Sequence, residues 1–437
     1  MTRKQSVESA VTEAGRQLDA RVRTANVPVY RASTVLFDSL EEAAATGARS
    51  MAGERHATTY GTVGTPTTFA LTDALAEIEG GGHACRAALM PSGLLAITVP
   101  LLACLKPGDH MLMSDSVYGP ARVFAQGMLS ELGVRTTFYP PNASTEAVAA
   151  LIEPGTRVLY LESPGSYTFE VQDVPALCAL ARERGLVSII DNAWASPIFA
   201  RPFDWGVDIS VLPLTKYWGG HSDLLMGAAV VREPLWPAIF RVMRQLGVCV
   251  GGDDAYLVLR GLRTVGVRMR QHEANALALA RWLQAQPEVA RVLHPALPDH
   301  PQHALWRRDF TGSSGLFAFE LDRARFGGDD DERLPPGRRQ AALAALCDGR
   351  RYFGIGYSWG LREPDHAGKD LQPAQRGALA GRTARACPCR ARGARGPGGG
   401  SCRRLRGDAP GPAGLRPAEC FRPPQPSAST CAGECCS

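Results

Sequence analysis

Two rhythms of apolar and polar positions run through the first 360 residues. In "TPTTFALTDALAEIEGG" (65–81) apolar residues recur three and four apart and glycines follow, which predicts an amphipathic helix with a glycine C-cap. "RVLYLES" (157–163), "LVSIID" (186–191) and "VDISVLPLTK" (207–216) are short runs rich in Val, Leu and Ile, which predict buried strands. Between the first two lies "DVPALCALARERG" (173–185), an amphipathic helix with Pro175 in its first turn and Gly185 beyond its end. Strand, helix and strand at this spacing imply parallel strands joined by right-handed crossovers. The most apolar stretch, "AALMPSGLLAITVPLLACL" (87–105), is interrupted by Pro91, Ser92, Gly93 and Pro100, so a buried helix is expected there and not a membrane span. Residues 1–60 read as an N-terminal arm, with "NVPVYRASTVLF" extended, and 61–255 as a large domain. Residues 253–286 repeat apolar positions at helical spacing; "GLFAFEL" (315–321) is a strand of a smaller domain over 256–360, 325–340 a charged loop, and "RRYFGIGYSWG" (350–360) ordered-looking sequence. The fold class expected is α/β, a mostly parallel sheet with a smaller α/β C-terminal domain.

The length, 437 residues, exceeds what one core supports. The net charge of +5 is uneven: residues 361–437 hold 13 Lys+Arg against 6 Asp+Glu, and residues 1–360 hold 35 against 37. The body is therefore near neutral and carries no nucleic-acid footprint. Seven of the 12 cysteines crowd into 387–436, and the other five sit mostly in apolar runs with no pairing pattern. "MTRKQSVESAVTEAG" lacks the apolar region of a signal peptide, so a cytoplasmic protein without a membrane segment is expected.

Unusual residues close three of the strand-like runs: Ser163-Pro164-Gly165, Asp191 and Lys216. In a parallel sheet, ligands bind beyond the carboxyl ends of the strands, where these residues would meet. Each has an ordinary alternative. Lys216 can be a lysine snorkelling at a strand end, Asp191 a helix N-cap, and the two a plain salt bridge. A fourth element shifts the balance. In "MPSGLLAITV", Ser92 and Gly93 precede an apolar helix, whose free N–H groups would face an anion, although Ser92 also suits an ordinary N-cap. An anion site, a carboxylate and a lysine on one crevice are the parts a pyridoxal phosphate (PLP) enzyme needs. No metal-ligand cluster stands out.

The sequence resembles the cystathionine β-lyase branch of the Cys/Met-metabolism PLP enzymes. The resemblance rests on "TYGTVGTPTTFAL", "PSGLLA", "SDSVYGPARVF", "LESPGSYTFEVQDVP", "IIDNAWASP", "LTKYWGGHSD", "RGLRTVGVRMRQHE", "VARVLHPALP", "RRDFTGSSGLF" and "GYSWG", in order over about 30–360. It implies fold-type I architecture, PLP as cofactor, an amino-acid substrate and a homotetramer built from dimers. By the same resemblance Lys216 binds the cofactor covalently, Asp191 pairs with its ring nitrogen, and Tyr118 stacks on its ring near the reacting groups. Gly93, Leu94 and Thr215 fall at phosphate positions, Tyr60 reaches the phosphate of a neighbouring subunit, and Ser358 and Trp359 lie on the substrate side. Thr62 replaces an arginine usual two residues after Tyr60, which removes a charged phosphate contact. Pro213 and "ESPGS" favour the β-lyase branch over the γ branch. The expected reaction is cleavage of L-cystathionine to homocysteine, pyruvate and ammonia, with cysteine or cystine as further substrates. The alternatives are a γ-lyase or γ-synthase relative and a catalytically impaired PLP-binding homologue.

After Gly360 the composition breaks. Residues 361–437 contain no Ile, Val, Met, Trp or Tyr and are rich in Arg, Ala, Gly and Pro. Such a segment cannot bury a core and reads as a disordered tail. Its sequence also reads as the product of a reading-frame shift just after Gly360.

Overall fold

A computed structural model describes residues 6–16, 24–322, 341, 344–348 and 384–385. Its frame is a seven-stranded sheet made of β1 (Cys85–Met90), β2 (His110–Ser114), β3 (Arg135–Tyr139), β4 (Thr156–Glu162), β5 (Val187–Asp191), β6 (Ile209–Leu212) and β7 (Gly227–Arg232), in the order β1-β7-β6-β5-β4-β2-β3. The β3-β2-β4-β5-β6 stretch is parallel throughout, as the alternation of strands and helices implies, and β7 runs antiparallel to both β6 and β1. Both faces are covered. Ala228 and Val230 of β7 pack with Leu71 and Leu75 of the helix Pro66–Gly80, whereas Ala229 and Val231 face Ile97 and Leu101 of the helix Gly93–Cys104. Strands buried on both sides need apolar residues at every position, so they read as continuous runs and not as alternations.

A second sheet joins β8 (Val289–Leu293), β9 (Ala318–Leu321) and the two-residue β10 (Ala384–Arg385), all antiparallel. The helices Gly252–Leu262 and Val265–Gln284 precede it, separated at Arg263–Thr264. The expected division after residue 255 falls inside the first of these, and Ala255, Val258 and Leu259 belong to the same core as β7.

Three expectations are corrected. The apolar stretch 87–105 is not one helix: residues up to Met90 belong to β1, and the helix starts at Gly93 and carries Pro100 within it. The run 207–216 is a strand only over Ile209–Leu212, because Pro213 has no N–H to continue the ladder. The N-terminal arm has no helix over 27–37, where Thr34 bridges Tyr60, but carries the helices Val7–Glu13 and Leu40–Met51. The charged loop, residues 350–360 and all of the tail except Ala384–Arg385 lie outside the described residues. Among the described residues no helix is long and apolar enough to cross a membrane, and no cluster of potential metal ligands occurs.

Candidate active site

The parallel strands β4, β5 and β6 end side by side, with Glu162 opposite Asp191 and Asp191 opposite Val211. Asp191 is buried, and its Oδ1 accepts the Ala193 N–H at 3.0 Å. Burial pushes its carboxyl up to about 7, against the pull of that N–H and of the positive charge on Lys216. Glu162 is buried too. Its Oε2 accepts the Tyr118 N–H at 2.6 Å and its Oε1 accepts the Ser166 hydroxyl. Burial first, and then the charge of Asp191, hold Glu162 well above the ordinary carboxylate range. Two acids on neighbouring strand ends thus resist carrying two negative charges. Asp191 is the one that Lys216 faces, and so the better placed to be the anion. The buried Tyr160 hydroxyl, on the strand that ends in Glu162, has no hydrogen-bond partner among the described residues.

Lys216 lies in a turn four residues past the end of β6. Its N–H donates to Pro213 O at 3.0 Å, and its carbonyl accepts the Gly220 N–H at 2.8 Å. Thr215 closes the other side: its N–H donates to Met226 O at 3.1 Å and its Oγ1 accepts the Met226 N–H at 3.0 Å. The helix Gly93–Cys104 points its N-terminus at this turn. Ser92 is its N-cap, accepting the Leu95 N–H at 3.1 Å, while the N–H groups of Gly93 and Leu94 have no acceptor within the helix. The approach is close: a Cβ at Gly93 would sit tight against Pro213 Cβ at 3.2 Å, and one at Gly227 would overlap Ser92 O at 2.5 Å.

The structure therefore gathers Gly93, Leu94, Thr215, Lys216, Asp191 and Tyr118 around the ends of β4 to β6. No hydrogen bond ties Tyr60 to them; it is 49% exposed and pairs with Thr34. Ser358 and Trp359 lie outside the described residues. Sequence reasoning gave no role to Glu162, although it is the one acid in the apolar β4, nor to Glu79. Glu79 is fully buried in the helix Pro66–Gly80, and its Oε1 accepts the Ser210 hydroxyl and, at 2.9 Å, the amide of Asn192, the residue after Asp191.

The donor set fits pyridoxal phosphate. A helix N-terminus and a threonine hydroxyl suit a phosphate, a lysine suits an aldehyde, and a buried acid lacking a full counter-charge suits a protonated ring nitrogen.

The family description "Cys/Met metabolism PLP-dependent enzyme" matches residues 8–362. The cystathionine beta-lyase of Bordetella avium is 42% identical over 343 residues, 78% of this chain and 81% of that one. The L-alanine/L-glutamate racemase of Wolbachia pipientis is 38% identical over 359 residues, covering 81% and 84%. Among solved structures, metB from Corynebacterium glutamicum superposes with a TM-score of 0.71 at 27% identity, covering 82% of this chain and 85% of that one.

Proposed function

The chain belongs to the Cys/Met-metabolism PLP-dependent enzymes, and from that premise we propose that it is a carbon–sulfur lyase that splits L-cystathionine at Cβ. Water is consumed, and homocysteine, pyruvate and ammonia are released. The observation that carries the reading is a buried acid and a lysine meeting at the strand ends of a chain 42% identical to a cystathionine beta-lyase.

When bound, pyridoxal phosphate supplies the electron sink for the α-carbanion. The protein's part follows from the site. The N–H groups of Gly93 and Leu94 and the Thr215 hydroxyl bind the phosphate at the positive end of a helix. Asp191 holds a proton on the ring nitrogen. Glu162, whose charge burial and Asp191 disfavour, accepts the Tyr118 N–H and so fixes the residue whose side chain would cover the ring. Lys216 takes the proton from Cα and is placed to deliver one as the carbon–sulfur bond breaks. Tyr60, half exposed and paired with Thr34 of the N-terminal arm, serves a neighbouring copy of the chain in a homo-oligomer, and the enzyme works in the cytoplasm.

A product assay with L-cystathionine tests the reading. Pyruvate and homocysteine are expected. Release of 2-oxobutyrate and cysteine would move the chain to the γ branch; no product, with PLP still bound, would mark an impaired homologue.

A further inference from the structure

We propose that Arg268 is the positioning residue of Lys216, a guanidinium that clamps the turn carrying the lysine against two helices. The inference rests on the reading of Lys216 as the reacting lysine. Arg268 stands in the first turn of the helix Val265–Gln284. Its Nη1 donates to Tyr217 O at 2.7 Å, and its Nη2 to Gly261 O at 2.9 Å and Trp218 O at 3.4 Å, while its Nε donates to Thr264 Oγ1 at 3.2 Å. Tyr217 and Trp218 are the two residues after Lys216. Gly261 is in the last turn of the helix Gly252–Leu262, the negative end of its dipole, where a cation is favoured.

Every one of these acceptors is neutral. Among the described residues no carboxylate lies within ion-pair distance of Arg268, and burial alone pushes its guanidinium down to about 10. A half-buried cation held by three carbonyls and a hydroxyl has no charge pairing to gain from them. What it gains is geometry, because the fork reaches three carbonyls from two directions at once.

The surrounding glycines are cleared for it. Gly220 has φ +76°, and a Cβ there would overlap the Arg268 guanidinium; a Cβ at Gly261 would overlap the carbonyls of Trp218 and Gly219. From inside, the turn is closed by the Gly219 N–H donating to Leu214 O at 2.9 Å and the Gly220 N–H to Lys216 O at 2.8 Å. The backbone of Lys216 is thus tied from both sides of the turn. A proton-transfer group held in this way reacts far more often than a loosely hung one.

The test compares holoenzymes of the parent, Arg268→Met and Arg268→Lys. Amide exchange is followed in 213–224, with 173–185 as an internal control, alongside the visible spectrum of bound cofactor, kcat and KM. In Arg268→Met, exchange in 213–224 should rise about tenfold or more, the scale of a few lost hydrogen bonds, and the control should not change. The visible band should shift, and kcat should fall more than KM rises. Arg268→Lys should recover part of each, since an ammonium is a charge without the fork. Parent-like exchange and kcat in Arg268→Met would overturn the proposal. So would exchange that rises equally in both segments with an unchanged spectrum, which would make Arg268 a general helix staple. If Arg268→Met does not fold, Arg268→Lys decides: local loosening supports the clamp and parent-like behaviour refutes it. Exchange and spectrum are read without substrate, so a failure of the lyase reading shows separately, in the product assay.

Discussion

Burying a carboxylate costs free energy unless a positive group stands against it. Burial holds Asp191 up at about 7 even with Lys216 nearby, which supports the proposed pairing of Asp191 with a protonated ring nitrogen. Asp191→Asn should leave the fold intact and lower the rate by at least about 100-fold, the low range for a single electrostatic contributor. A near-parental rate would assign Asp191 to structure alone. Lys216→Ala should abolish both turnover and the visible absorption of bound cofactor; normal turnover in that variant would end the whole reading. Glu79 makes a separate prediction. Burial pushes its carboxyl from 4.5 up to about 7, against the donors Ser210 and Asn192. The folded chain therefore binds this proton more tightly than the unfolded chain. The associated stability is fully present below about 4.5 and is lost as pH rises through about 7. Glu79→Gln should remove that decline. Urea unfolding at pH 5 and pH 8 should show the difference between the two pH values shrinking by roughly 2–3 kcal/mol relative to the parent. Parallel behaviour of the two proteins would show that Glu79 does not titrate in this range.

Single atoms decide how elements meet in this site. The start of β7 passes so close to the helix Gly93–Cys104 that a Cβ on Gly227 would lie 2.5 Å from Ser92 O and 2.8 Å from Gly93 Cα, both backbone atoms. Gly227→Ala must therefore push the helix N-terminus off the Thr215 turn. Titration of the cofactor-free protein with pyridoxal phosphate should show affinity at least about tenfold weaker, with about 1–3 kcal/mol lost from stability by overpacking. Unchanged affinity would remove this N-terminus from the phosphate site. The elements themselves were legible to different degrees. The helix Pro66–Gly80 was readable because its period and glycine C-cap agree, and Gly81 does adopt the left-handed conformation. β4 and β5 were readable as apolar runs bounded by turns. β1 was not, because four apolar residues running into an apolar helix have no period that separates strand from helix. Asp191 and Lys216 stood out as charges in apolar surroundings. Arg268 did not: arginines punctuate its whole segment, and only the fold shows that this one turns inward to carbonyls 50 residues earlier.

At the scale of the whole molecule the chain divides at Gly360, and we infer that the division is one of reading frame. The family match runs to residue 362, and residues 361–437 hold no Ile, Val, Met, Trp or Tyr. "LREPDHAGK" (361–369) can be written CTT CGA GAG CCT GAT CAT GCC GGC AAG. Read from its second base this gives "FESLIMPA", the continuation that the family resemblance implies after "GYSWG". "RTARACPCRARGARGP" (382–397), shifted in the same direction, can give "GPRVHVHAGLEEPEDL", again family-like. The freedom of the code makes either match alone weak, but two separate segments agree on one frame. The structure adds a coincidence of place. The codon for the decoded arginine straddles Ala384 and Arg385, the two tail residues that pair with Ala318 and Phe319 of β9. By the resemblance, that arginine grips the substrate α-carboxylate through a bidentate pair. Sequencing the gene across codon 360 should reveal a lost or gained base. A chain with the restored frame should then bind cystathionine about 10- to 100-fold more tightly than the chain as written, the worth of one charge-assisted pair at ~1.5–3 kcal/mol. An uninterrupted frame that encodes this chain, together with full lyase activity, would show instead that Ser358 and the residues near it hold the carboxylate without that arginine.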